Sequence, residues 1–69
     1  MEIKDVIENR DNKEFVLKAV SENGKFLDLV SDELKNDKEL ALIAVKQNKQ
    51  AYHFISEQLK NDEEIKALL

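Results

Sequence analysis

Apolar side chains recur along the chain at the spacing of a helix. Phe26, Leu29 and Val30 occupy positions i, i+3 and i+4, and the same spacing returns 25 residues later at Ala51, Phe54 and Ile55. Side chains at this spacing lie on one face of a helix. No stretch alternates apolar and polar residues for long enough to suggest a strand. The pattern therefore predicts an all-α fold.

The pattern occurs twice, because residues 11–35 (the first unit) align without a gap with residues 36–60 (the second unit). Unrelated segments of this length share roughly one or two residues, and similarity at a fixed period indicates a repeat architecture. A third copy begins at Asn61 and covers nine residues. Nine of the 25 aligned pairs are identical, namely Lys13/Lys38, Glu14/Glu39, Leu17/Leu42, Ala19/Ala44, Val20/Val45, Asn23/Asn48, Ser31/Ser56, Leu34/Leu59 and Lys35/Lys60.

Each copy opens with a predicted helix start. A short polar side chain can accept a hydrogen bond from a free backbone N–H of the first turn, and a Glu three residues later can reach back to it. The chain has this pattern three times, at Asp11/Glu14, Asn36/Glu39 and Asn61/Glu64. Because helix starts are predicted only to within one or two residues, the following residues are equally good caps. These are Asn12, Asp37 and Asp62.

Each unit is predicted to contain a long helix, a tight turn and a shorter helix. The long helices span residues 14–23 and 39–48, and Gly24 is expected to close the first one in the left-handed conformation. If Lys49 shares that conformation, it costs roughly 1 kcal/mol relative to Gly. Ser31 and Ser56 are predicted to be caps or kinks. Whether the shorter helix continues unbroken through each Ser is open.

The chain is predicted to form one domain, residues 1–69. It would consist of an N-terminal covering helix (residues 1–10), the two units, and a partial third repeat (residues 61–69). Because one pair of helices cannot bury its apolar face alone, the 25-residue helix–turn–helix units should stack as a small solenoid-like bundle. The second long helix, apolar almost all round, should lie centrally. The apolar residues expected to cover the two ends are Ile3, Val6, Ile7, Ile65, Leu68 and Leu69.

The composition limits which cellular location and which classes of binding partner we expect. Eleven Lys and Arg residues against fifteen Asp and Glu residues give a net charge of −4, and the basic residues are interleaved with acids. We therefore expect no nucleic-acid partner, since nucleic-acid binding needs clustered Lys and Arg. The longest apolar run, from Leu40 to Val45, is far shorter than the ~20 residues of a membrane span. With no secretory pattern at the N-terminus, a cytoplasmic protein without a membrane partner is expected.

Little in the sequence indicates catalysis. His53 is the single imidazole and the chain has no Cys, so a metal ligand set or a catalytic base with a partner is not expected. The carboxylate pairs are explained by helix starts. We therefore expect no catalytic residue, no cofactor and no metal.

The leading hypothesis is a non-enzymatic module that binds another protein, whose identity the sequence does not give. The alternative is a structural or self-associating unit, a monomer or weak homodimer that joins through its unfinished repeat ends, and a small enzyme is a remote third choice. Positions that differ between the units would set specificity. The candidate partner-binding surface comprises Lys46, Gln47, Gln50, Tyr52, His53, Ser21, Glu22 and Asp28.

Residues 36–48, Asn-Asp-Lys-Glu-Leu-Ala-Leu-Ile-Ala-Val-Lys-Gln-Asn, resemble the repeats of the domain-of-unknown-function family DUF4116. The Ser-Glu-Gln-Leu-Lys-Asn-Asp stretch at residues 56–62 resembles the turn that follows in those repeats. The resemblance covers about residues 11–66 and departs at Lys49, where the family has Gly, and at Phe54-Ile55, where it favours Tyr-Ala. It implies helical repeats, usually found as arrays in longer proteins. It brings no activity, cofactor or site residue.

Overall fold

Helices make up most of the chain. The computed structural model describes residues 2–69, and within that range it contains no strand, which confirms the all-α prediction. In chain order the elements are α1 (Ile3–Glu8), α2 (Lys13–Glu22), a first 3₁₀ helix (Gly24–Leu29), α3 (Asp32–Lys35), α4 (Lys38–Gln47), a second 3₁₀ helix (Lys49–Phe54), α5 (Glu57–Lys60) and α6 (Glu63–Lys66).

Corresponding elements of the two units have the same length. Helices α2 and α4 each have ten residues, the two 3₁₀ helices each have six, and α3 and α5 each have four. Each element of the second unit starts 25 residues after its counterpart, as Lys13 and Lys38 show. The sequence period is therefore also a period of the secondary structure.

The long helices begin at the second of the two candidate caps. The Oδ1 atom of Asn12 accepts the backbone N–H of Phe15 at 3.2 Å, and Asp37 does the same for Leu40 at 3.1 Å. Asp62 caps α6 in the same way. Asp11, Asn36 and Asn61 lie one residue before these caps.

The shorter helix of each unit is interrupted at its Ser, which answers the question that the sequence left open. Val30 and Ile55 are extended, and each is followed by a Ser that caps a new turn of helix. The Oγ of Ser31 accepts the N–H of Leu34 at 3.4 Å, and the Oγ of Ser56 accepts that of Leu59 at 3.3 Å.

The prediction that Gly24 adopts the left-handed conformation is wrong. No residue between 2 and 69 has a positive φ. The chain turns instead at Asn23, which is extended with φ −152° and ψ 105°, and Asn48 repeats this with φ −152° and ψ 116°. Gly24 is small for another reason: a Cβ built there would collide with the carbonyl oxygen of Ala44. Lys49 therefore carries no left-handed strain, and the expected gain from Lys49→Gly loses its basis.

The buried face after the turn also differs from the prediction. In the first unit Gly24, Leu27 and Val30 are buried, whereas Phe26 and Leu29 are only half-buried. A 3₁₀ helix has three residues per turn, so every third residue lies on the same face. The prediction of an α-helical face through Phe26 and Leu29 assumed 3.6 residues per turn, and it missed Leu27.

The core is entirely apolar among the described residues. Helix α4 contributes four buried residues and α2 contributes three, in line with the central position expected for the second long helix. The buried apolar residues are Val6, Val16, Ala19, Val20, Leu27, Val30, Leu40, Ala41, Ala44, Val45, Ala51, Ile55 and Ile65.

The terminal segments bury less than expected. Only Val6 of α1 is buried, while Ile3 and Ile7 are 58% and 45% exposed. At the other end Ile65 is fully buried, and Leu69 is 53% exposed. These segments are short, since α1 has six residues and α6 has four, so each presents a single buried side chain to the core.

Candidate functional site

A backbone hydrogen bond joins each Ser turn to the residue that directly precedes its 25-residue unit. The N–H of Ser31 donates to the carbonyl of Arg10 at 3.1 Å, and the N–H of Ser56 donates to the carbonyl of Lys35 at 3.1 Å. Both the donors and the acceptors are 25 residues apart. The same bond thus forms at the start of both Ser turns.

A lysine at the start of each long helix reaches the start of the next unit. The Nζ of Lys13 lies 2.9 Å from Asp37 and 3.1 Å from Glu39. The Nζ of Lys38 repeats this, at 3.2 Å from Asp62 and 2.7 Å from Glu64. We call these two clusters the lysine ladder.

The lysine ladder shifts the pKa of its two lysines and of its two aspartates. Hydrogen bonds from Lys13 to Asp37 and then to Glu39 raise the pKa of that ammonium, and Lys38 is raised by Glu64 and then Asp62. Partial desolvation alone would raise the pKa of Asp37. The hydrogen bonds from Lys13 and from the N–H of Leu40 outweigh it, and the pKa of Asp37 is lowered. The pKa of Asp62 is lowered by the same balance.

Gln47 links the C-terminal ends of α2 and α4. Its Oε1 accepts the N–H of Gly24 at 2.7 Å, and its Nε2 donates to the carbonyl of Glu22 at 3.1 Å. Gln47 is one of the predicted surface residues, and it is exposed. Its amide nevertheless binds the neighbouring unit, so both of its functional atoms already have partners within the fold.

Tyr52 also uses its polar group internally. It is half-buried, and its hydroxyl donates to the carbonyl of Lys60 at 2.7 Å. The ring of His53 meets it edge-on, with the ring centroids 6.3 Å apart. His53 itself is exposed.

The other predicted surface residues are exposed, and they fall on elements that contact one another. Ser21 and Lys46 lie near the ends of α2 and α4, which pack together, and Asp28 and His53 lie on the two 3₁₀ helices, which also pack together. The hydroxyl of Ser21 donates to the carbonyl of Leu17 at 2.6 Å. The exposed members are Ser21, Glu22, Asp28, Lys46, Gln50 and His53.

Sequence reasoning missed the lysine ladder. Lys13 and Lys38 are among the identical pairs of the repeat, but the sequence pattern indicates only that the basic residues are interleaved with acids. The useful signal is that carboxylates occur on both sides of the position one period after each lysine, as Asp37 and Glu39 do on either side of Lys38.

Open clefts occur on the surface of the described residues. One cleft of about 230 Å³ is lined by Asn12, Glu14, Phe15 and Lys18, and another of about 300 Å³ lies beside Ser31. Within residues 2–69, no group of His, Asp and Glu side chains is placed to hold a metal ion. In the same range, no helix has the length and apolarity needed to cross a membrane.

Comparison with protein families identifies the chain. The profile of the family described as "Domain of unknown function (DUF4116)" matches residues 12–60. This chain belongs to the DUF4116 family. The matched segment runs from the cap of α2 to the end of α5, so it includes Gln47 and the first cluster of the lysine ladder. No curated protein and no solved structure matched the chain.

Proposed function

We propose that this DUF4116 chain is a non-enzymatic helical-repeat module that binds another protein. In this proposal its 25-residue units stack as a short solenoid, and the stack presents a continuous surface to the partner. The observation that carries the proposal is that some positions make contacts between the units, whereas others are exposed and differ between the units. The lysine contacts between units use the same position in each copy, as Lys13 and Lys38 show. Other exposed positions carry different side chains, as Ser21/Lys46 and Asp28/His53 do.

The proposed binding surface consists of the exposed, variable positions at the C-terminal ends of α2 and α4 and on the two 3₁₀ helices. Lys46 replaces Ser21, and His53 replaces Asp28, so the two units offer different charges at equivalent places. Gln47 and Tyr52 would stabilise this surface rather than contact the partner through their polar groups. Those groups are already hydrogen-bonded to the N–H of Gly24 and to the carbonyl of Lys60. The dispersed basic residues support the absence of a nucleic-acid partner from this proposal.

A capture experiment with matched variants tests the proposal. The purified chain, the double variant Lys46→Glu/His53→Ala and the control Lys4→Glu are each used to capture proteins from the lysate of the source cells. Lys4 is exposed on α1, outside the proposed surface, and its substitution changes the charge as much as Lys46→Glu does. We expect one protein that the chain and the control retain and the double variant loses. Equal retention by all three would place binding elsewhere, and selective binding of a small molecule alone would overturn the proposal.

Self-association is a second candidate, favoured by one observation. Ile3 and Ile7 are four residues apart on α1, and both are substantially exposed. Large apolar side chains grouped on a surface often mark an interface. Light scattering over a range of concentrations should show dimers that Ile3→Lys/Ile7→Lys abolishes. A strict monomer at high concentration would remove this candidate.

A further inference from the structure

We propose that Asn23–Gly24 is a deamidation site that the contact between α2 and α4 holds closed. An Asn–Gly pair is prone to this reaction because glycine places no side chain beside the attacking nitrogen. The backbone nitrogen of Gly24 loses its proton to a base in solution and forms a bond to Cγ of Asn23. The Cγ–Nδ2 bond breaks, the departing nitrogen takes up a proton from the solvent, and ammonia leaves. Water then opens the resulting succinimide to aspartate or isoaspartate, so no oxidant or cofactor is needed.

The first obstacle to this reaction is Gln47. The nitrogen that must attack belongs to Gly24, and its proton is donated to Oε1 of Gln47 at 2.7 Å. Gly24 is also buried, which keeps a base in solution away from that proton. Gln47 is itself held in place by its bond to the carbonyl of Glu22. Loss of this proton is therefore hindered while the two units remain in contact.

The second obstacle is the conformation of Asn23. Ring closure needs Cβ of Asn23 and the nitrogen of Gly24 to eclipse across the Cα–C bond, which requires a negative ψ in an L-residue. Asn23 instead has a ψ of 105°. Its Oδ1 accepts the N–H of Lys25 at 3.0 Å, so rotation would also uncap the first 3₁₀ helix. The reaction therefore requires the junction between α2 and this helix to open.

Asn48 is a control built into the chain. Its ψ is 116°, and its Oδ1 accepts the N–H of Gln50 at 2.9 Å, so its local structure matches that of Asn23. The residue that follows it is Lys49, whose side chain hinders the attack. Asn23 should thus react well before Asn48 once the chain is unfolded, whereas folding should protect both.

Deamidation would leave an irreversible chemical change in every chain whose junction between α2 and the first 3₁₀ helix has opened for long enough to react. Aspartate adds a negative charge beside Glu22, and isoaspartate adds a methylene group to the backbone between α2 and the first 3₁₀ helix. In isoaspartate the cap geometry at position 23 cannot re-form, since the extra methylene group displaces the side chain relative to Lys25. A chain that has once opened at this junction would close less well afterwards.

Peptide mapping by mass spectrometry tests the proposal. The intact chain, Gln47→Ala and the control Gln50→Ala are incubated at mildly alkaline pH, well below their unfolding temperatures, with the urea-unfolded chain as reference. We expect Asn23 to convert fastest in urea, and about tenfold faster in folded Gln47→Ala than in the intact chain, the factor that corresponds to one lost hydrogen bond. Gln50→Ala should match the intact chain.

A second variant separates protection by Gln47 from a general loss of folding. Gln47→Glu keeps an oxygen that can accept from Gly24 but loses the donor to Glu22. It should therefore protect Asn23 better than Gln47→Ala does, with circular dichroism confirming that both are folded. Equal rates in Gln47→Ala and the intact chain, or equal rates in the folded and unfolded chain, would overturn the proposal. If Gln47→Ala does not fold, equal rates in Gln47→Glu and the unfolded chain would do so.

Discussion

Gly24 shows how one residue can decide the distance between two helices. A Cβ at this position would collide with the carbonyl oxygen of Ala44 and press against the side chain of Asn48. The backbone of α4 cannot move away without disturbing the buried residues on its inner face. The absence of a side chain therefore lets α2 and α4 approach closely enough for Gln47 to bind the N–H of Gly24.

We predict that Gly24→Ala destabilises the fold by about 1–3 kcal/mol, the usual cost of overpacking a tight contact. Its counterpart Lys49→Ala should change stability by less than about 0.5 kcal/mol, since Lys49 is exposed and its backbone is unstrained. Urea unfolding measures both. If Gly24→Ala were as stable as the intact chain, the close approach of the two helices would not exist in solution.

We predict a cost of about 2 kcal/mol for Val45→Ala, from lost apolar burial and the cavity left behind. Val45 is fully buried on α4. Urea unfolding measures this cost as well. A loss below about 0.5 kcal/mol would show that position 45 lies outside the core, since substitutions of that size are typical of the surface.

At the scale of elements, the sequence predicted the long helices well and the short ones less well. Helices α2 and α4 were predicted to within about one residue, because apolar periodicity and polar caps agree there over ten residues. The first 3₁₀ helix was misjudged because its run of apolar residues suits either helical period. Packing decides between the α-helical and the 3₁₀ period here, because either period places apolar residues on one face. The apolar residues are Phe26, Leu27, Leu29 and Val30. Likewise, a glycine at position 24 is compatible with either a left-handed turn or a close contact with another backbone, and the sequence does not distinguish them.

The candidate site was only partly predictable for a related reason. Exposed positions such as Lys46 and His53 were recognised from the differences between the units. The roles of Gln47 and Tyr52 depend on partners in the neighbouring segments, 23 residues away for Gly24 and eight for Lys60. Such pairings follow from how the helices pack, and the sequence pattern alone does not specify that register.

Equivalent positions on α2 and α4 should tolerate truncation differently. Leu40 is fully buried, whereas its counterpart Phe15 is half-buried and lines an open cleft. We predict that Leu40→Ala costs about 2–5 kcal/mol. Phe15→Ala should cost less, even though Phe is the larger residue. Thermal and urea unfolding of both variants would give the order, and a larger cost for Phe15→Ala would contradict the central position of α4.

At the scale of the whole molecule, the lysine ladder ties stability to pH. The pKa values of Asp37 and Asp62 are lowered from 3.8, so the stabilisation they provide is present above that pH and is lost as pH falls through their folded-state values. The pKa values of Lys13 and Lys38 are raised from 10.5, so their contribution is lost as pH rises through their folded-state values.

We predict a plateau of stability between these limits and a decline below about pH 4. The double variant Asp37→Asn/Asp62→Asn should show a shallower acid decline than the intact chain, because those two carboxylates can no longer take up protons. Added salt should weaken the ladder, since its lysines are exposed to solvent. Urea unfolding across the pH range would reveal the difference. Identical acid declines in the two proteins would show that the ladder does not form.

In the repeat arrangement that we propose, successive 25-residue segments have the same structure and meet their neighbours through equivalent contacts. NMR couplings across backbone hydrogen bonds detect these contacts in solution. We predict a coupling from the nitrogen of Ser31 to the carbonyl carbon of Arg10, and an equivalent one from Ser56 to Lys35. Both couplings should be present together in one folded state. If one were present and the other absent, or if either Ser coupled to a different carbonyl, the two segments would not be equivalent and the chain would not be a repeat of one structure.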